Sequence, residues 1–149
     1  HVGVARDLMC LPNRVGTALA RVDAVTAMTD VTGFGLAGHL LEMCQGSGVR
    51  ARLTTDSIPR IDGVDHYISA RCVPGGTGRN FASYGEQMEQ TSDANQALLC
   101  DPQTSGGLLV AVNPQGIREF ERCVGQDGLS LSRIGELLPA GDGPTLLLS

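Results

Sequence analysis

From Ala24 to Met28 the chain reads AVTAM, a short and mostly apolar run that predicts a buried β-strand. Leu36, Leu40, Leu41 and Met43 then recur at helical spacing, so a helix follows. Between the two, the strand ends on Asp30, and Gly33 and Gly35 suit a tight turn in which the backbone comes close to something else. Gly46-Ser47-Gly48 stops the helix, with a glycine where a left-handed C-terminal cap is usual. Val49 to Thr54 (VRARLT) alternates apolar residues with Arg50 and Arg52, as a strand with one wet face does. These pieces compose a first β-α-β unit.

Upstream, the first twenty residues predict a helix in two parts, with Pro12 able to start the second. Downstream the pattern weakens. Ile61 to Ala70 and Phe81 to Glu89 each suit a short helix, and Val73 to Asn80 (VPGGTGRN) reads as loop. Order returns at Ala97 to Cys100, which is apolar, and DPQTSGG from Asp101 to Gly107 is a turn-rich loop. Leu108 to Val112 (LLVAV) is a strand by length and flanks. Asn113 caps a helix with Pro114 at its first position, and Ile117, Phe120 and Val124 line one face until Gly125 or Gly128 ends it. Leu129 to Leu138 predicts another strand, and Thr145 to Leu148 a last one that pairs back antiparallel. Two β-α-β units in tandem indicate an α+β fold of ferredoxin-like character, with helices packed on a mixed sheet.

Length changes the picture little: 149 residues make one domain with a full core. The start at His1, inside a helix-forming stretch and without a methionine, suggests a piece of a longer protein. No run of about eighteen apolar residues is long enough to span a membrane. Composition excludes more. The eleven basic residues are all arginine, so a P-loop lysine, a Schiff-base lysine and a lysine general base are absent from this piece. A net charge of −5, three Phe, two Tyr and no Trp argue against nucleic acid as a partner. The five cysteines, Cys10, Cys44, Cys72, Cys100 and Cys123, show no CxxC spacing, which points to a reducing, cytoplasmic setting and no zinc signature. None lies at a strand-turn-helix junction beside a lysine or histidine, so no activated thiol is read.

The chemistry centres on Asp30. Backbone N–H groups left unpaired at a helix start face anions, yet Asp30 is itself negative and would repel a bare phosphate. A cation between them removes the conflict, which makes Asp30 a candidate magnesium ligand in a metal-phosphate site. The alternative is that Asp30 or Thr32 simply caps the helix. His39 on that helix reads as a hydrogen-bonded structural histidine.

TDVTGFGLAGHLLEM from Thr29, SGVRA from Ser47, VPGGTGRN from Val73 and LLCDPQTSGGLLVAV from Leu98, in that order, resemble selenophosphate synthetase (selenide, water dikinase). DPxTSGG alone would point only to the wider superfamily, which includes aminoimidazole ribonucleotide synthetase and the hydrogenase-maturation and thiamine-phosphate kinases. The resemblance implies the C-terminal domain of an enzyme whose N-terminal domain supplies most of the ATP site, the reactive Cys or selenocysteine and a catalytic lysine. The full reaction would make selenophosphate, AMP and phosphate from selenide, ATP and water, with Mg2+ on the polyphosphate, in an enzyme that is a homodimer when complete.

On this resemblance Asp30 falls where the family has a magnesium-coordinating aspartate. Thr104 and Ser105 hydroxyls and the N–H groups of Gly106 and Gly107 would form an anion-binding nest at the interdomain cleft; a turn that touches no ligand is the other reading. Gly75 to Asn80 lacks the context of a phosphate loop and is expected at the surface. No catalytic residue is expected in this piece, and alone it should turn nothing over. Two other readings stay open: a free-standing binding or assembly module, or another synthetase of the same superfamily.

Overall fold

A computed structural model describes residues 1–126 and 131–149. Two short helices come first, α1 (Val2–Met9) and α2 (Val15–Leu19), with Pro12 in the link between them rather than inside the second. Then follow β1 (Val25–Asp30), α3 (Gly35–Ser47) and β2 (Val49–Leu53). Gly48 caps α3 at φ 64°, a conformation that costs glycine nothing. The middle holds α4 (Val64–Ser69), α5 (Gly75–Tyr84) and α6 (Asp93–Leu99), and β3 (Leu108–Val112) comes next. The Asn113 side chain accepts from the Gln115 N–H, Pro114 opens a 3-10 turn, and α7 (Ile117–Gln126) continues from it. β4 (Gly135–Pro139) and β5 (Leu146–Leu148) close the chain.

The fold is α+β, and its mixed sheet has the order β4-β2-β5, with β2 antiparallel to β4 and parallel to β5. Strand pairing departs from the tandem-unit expectation. β1 pairs with β3, antiparallel, in a separate two-stranded sheet, so the strands flanking α3 belong to different sheets. The reason is burial around α3. Gly35 to Leu41 and Cys44 are all buried, so the first two turns of this helix need cover on every side. Leu109 and Val31 cover it from the β1-β3 side, and Ala51, Leu53 and Leu146 from the mixed sheet. β5 is accordingly parallel to β2, where the sequence pattern predicts an antiparallel partner.

A second apolar cluster fills the other face of β1-β3. There Leu19 and Val22 meet Phe120 and Val124 of α7, with Met28, Leu108 and Val110 packed against them. Cys44 is buried in the first cluster and Cys123 borders the second, as their apolar helical faces predict.

Two further expectations change. The pattern over Val73 to Asn80 predicts loop, yet Gly75 to Asn80 form the first turns of α5. Glycine is a poor helix former, but here tertiary contact decides: the Cβ of any larger residue at 76 would lie 2.8 Å from the Pro102 ring. The strand expected over Leu129 to Leu138 begins at Gly135; residues 127–130, including Gly128, lie outside the described residues.

Thr77 of α5 is 2% exposed, and its hydroxyl has no hydrogen-bond partner among the described residues. An unsatisfied buried hydroxyl costs about 1–3 kcal/mol. Thr77→Val keeps the shape and removes the polar atom, so it should stabilise the fold by about 1 kcal/mol. Thermal unfolding should show a Tm rise of roughly 2–4 °C; a fall would mean that the hydroxyl is satisfied.

Candidate functional site

Asp30 is the last residue of β1, exposed, and pairs in register with Leu108, so it shares a sheet face with Met28 and Val110. Its carboxylate enters no ion pair among the described residues. The residue after it, Val31, turns inward and is 4% exposed. This inward turn anchors the tip of the strand while leaving the carboxylate outside.

The helix-cap alternative can be judged directly. The residue capping α3 is Phe34, with no side-chain cap bond, so neither Asp30 nor Thr32 does that work. Thr32 Oγ1 instead lies 3.0 Å from His39 Nε2, and His39 Nδ1 lies 3.1 Å from Glu42 Oε2. A carboxylate only accepts, so Nδ1 carries the proton and, in the neutral ring, Nε2 accepts from Thr32. His39 is thus a buried, hydrogen-bonded structural histidine.

Three sequence motifs meet at this turn. Val31 N–H donates to Gly107 O and Gly106 N–H to Val31 O, each at 3.0 Å, which extends the β1-β3 ladder into the Asp101 loop. Gln103 N–H donates to Thr32 O at 3.0 Å. From α5, Asn80 Nδ2 donates to Gly33 O and to Cys100 O, both at 2.9 Å, and Tyr84 Oη donates to Phe34 O. Gly35, at φ +71°, lets the turn lie directly on the backbone of Leu99 to Asp101.

These bonds narrow the nest expected over Thr104 to Gly107. Ser105 Oγ donates to Leu11 O at 2.8 Å, and Gly106 N–H is held by Val31. Left with no partner among the described residues are the exposed Thr104 hydroxyl and the N–H groups of Gly107, Gly33 and Phe34. The Gly33 and Phe34 donors belong to the Asp30 turn itself. Neither Asn80 nor Tyr84 stands out in the sequence by residue type or spacing, although Asn80 ends the VPGGTGRN motif.

Electrostatics around the site come from burial. It pushes the Asp101 carboxyl, the Cys100 thiol and the Tyr84 hydroxyl up from their ordinary values, and the Cys100 side chain raises Tyr84 as well. Cys100 is therefore a thiol rather than a nucleophilic thiolate. Among the described residues no three His, Cys, Asp or Glu side chains cluster to hold a metal. A lone exposed carboxylate still fits Mg2+, which takes one or two carboxylates from protein and keeps phosphate and water as its other ligands.

The α+β architecture is that of one domain family. Residues 8–144 match the family described as AIR synthase related protein, C-terminal domain, and the chain belongs to that family. Over 147 residues it is 51% identical to selenide, water dikinase of Escherichia coli strain K12 and of Shigella flexneri. The same enzyme of Escherichia coli O139:H28 is 52% identical. The alignments take in 99% of this chain and 42% of each relative, so the chain spans about two fifths of their length. Among solved structures, tt0281 of Thermus thermophilus superposes with TM-score 0.56 at 20% identity, over 93% of this chain and 36% of that one. Thiamine-monophosphate kinase of Stenotrophomonas maltophilia K279a gives 0.52 at 18%, over 83% and 31%. These two likenesses concern the fold. Among the described residues no helix is long and apolar enough to cross a membrane.

Proposed function

We propose that this chain is the C-terminal part of a selenide, water dikinase, which makes selenophosphate, AMP and phosphate from selenide, ATP and water. Asp30 is one ligand of a Mg2+ ion whose other protein ligands come from an N-terminal domain, and the Thr104 hydroxyl and the Gly107 N–H face the ATP phosphates. The observation that carries this reading is the convergence of three family-like motifs on one strand tip whose carboxylate is exposed and unpaired. Bound there, Mg2+ would neutralise charge on a transferring phosphoryl group. This chain's own part is to present the carboxylate and to keep the backbone donors of both loops pointing at one place. The complete enzyme is a cytoplasmic homodimer in this reading.

The division of labour can be measured. Titrating this domain alone with Mg-ATP in a calorimeter should give no binding in the micromolar range, because most nucleotide contacts belong to the other domain. The full-length protein should release AMP only when selenide is present. Micromolar binding by the isolated domain would put the nucleotide site here, and AMP release driven by another substrate would point to a different synthetase.

A further inference from the structure

We infer that Asn80 is a positioning residue that holds the Asp30 turn and the Asp101 loop at one mutual spacing. Its side-chain nitrogen has two hydrogens and two acceptors, Gly33 O and Cys100 O, each 2.9 Å away. One acceptor lies three residues past Asp30, and the other immediately precedes Asp101. Tyr84 also reaches both sides, through Phe34 O and the Cys100 side chain, but among the described residues no other side chain donates to a backbone carbonyl on each side. The far end of the Asp101 loop needs no such help, since Gly106 and Gly107 are tied to Val31 by the extended ladder. At the near end, Cys100 to Gln103, the backbone hydrogen bonds to the turn are the Gln103 bond to Thr32 O and, through the Asn80 amide, the link from Cys100 O to Gly33 O, beside the packing of Gly35 on Leu99 to Asp101.

Helix α5 suits this task. Its Gly76 sits against Pro102 of the loop, and its Tyr84 hydroxyl bonds Phe34 O of the turn, so the helix touches both parties along its length. An aspartate at position 80 would turn an acceptor toward two carbonyl oxygens and push them apart. Gly76 therefore serves close packing, while the asparagine carries the link.

The consequence for Mg2+ rests on the role proposed for Asp30; the link between loops does not. The test uses Asn80→Asp and Asn80→Ala in the full-length protein, two variants so that an added charge is not itself the cause. Gly35 and Gln103 report the two sides, because both of their N–H groups donate to Thr32 O. Hydrogen exchange at both amides should speed up together by about tenfold, as expected for losing two hydrogen bonds. Val31, at the ladder end, should stay within about twofold. The Mg2+ concentration giving half-maximal activity should rise about tenfold, with kcat falling less, since misplacement by a fraction of an ångström weakens shared ligands first.

Faster exchange confined to α5, or at only one of the two reporting amides, would overturn the inference. So would an unchanged Mg2+ requirement in the Asn80 variants when Asp30→Asn raises it. Should Asp30→Asn itself leave that requirement unchanged, the metal reading of Asp30 fails, and the exchange at Gly35 and Gln103 alone decides for or against Asn80.

Discussion

Asp30→Asn in the full-length protein is expected to lower kcat/KM by at least about 100-fold and to raise the Mg2+ requirement, because removing groups one shell outside a metal already costs roughly 10–100-fold. The substitution keeps size and polarity and removes only the charge, so the loss measures the carboxylate's electrostatic part. Stability should hardly move, since the side chain is exposed and pairs with no described residue. That separation matters. Had Asp30 been a helix cap, the same change would cost about 1 kcal/mol of stability and leave metal dependence alone. Activity measured against Mg2+ concentration, beside a thermal melt of the same preparation, distinguishes the two, and unchanged metal dependence would return Asp30 to a structural role.

Gly35→Ala should be the most damaging small change at the site. The residue sits at φ +71°, where a Cβ costs on the order of 1–2 kcal/mol. That Cβ would also lie 2.8–2.9 Å from Leu99 O, Asp101 O and the Cys100 carbonyl carbon, all main-chain atoms that cannot swing aside. Overpacking of this kind adds about 1–3 kcal/mol. We expect a total near 2–4 kcal/mol, seen as a Tm loss of roughly 5–15 °C. Gly33→Ala supplies the contrast: nothing lies within 4 Å of the place its methyl group would take, and its φ is not positive. It should change stability by less than about 0.5 kcal/mol. Equal losses in the two variants would mean that glycine flexibility, rather than contact with the Asp101 loop, is what the turn requires.

The sequence is most readable where a local pattern has only one physical solution. The apolar run ending on Asp30, the leucine spacing of α3, the Gly48 cap and the Asn113-Pro114 start each depend on residues within a few positions of one another, and each is found in its expected place, although no residue of β1 is buried and Asn113-Pro114 opens a 3-10 turn ahead of α7. Strand pairing is not readable in this way. Nothing near Asp30 states that its neighbour is Leu108, and nothing near Ala51 names Leu146. The Gly75 to Asn80 segment misleads for the opposite reason: low helix propensity is a local fact, and it is outweighed by close packing against Pro102. At the site, the candidate carboxylate can be found from its strand-turn-helix setting. Which donors of the Thr104 to Gly107 loop stay free cannot, because Val31 and Leu11, far away in sequence, accept from two of them.

The pairing of β1 with β3 also fixes an order of assembly. The backbone bonds of α3 join residues a few positions apart, but its cover from Leu109 and Leu146, and the neighbour Leu108 that Asp30 acquires, come only after the intervening chain has been made and folded back. Closing so long a loop before any contact rewards it slows folding. On the ribosome, a nascent chain that stops short of Leu108 therefore lacks both the cover of α3 and the edge that holds Asp30, which commits this domain to completing its site late in synthesis.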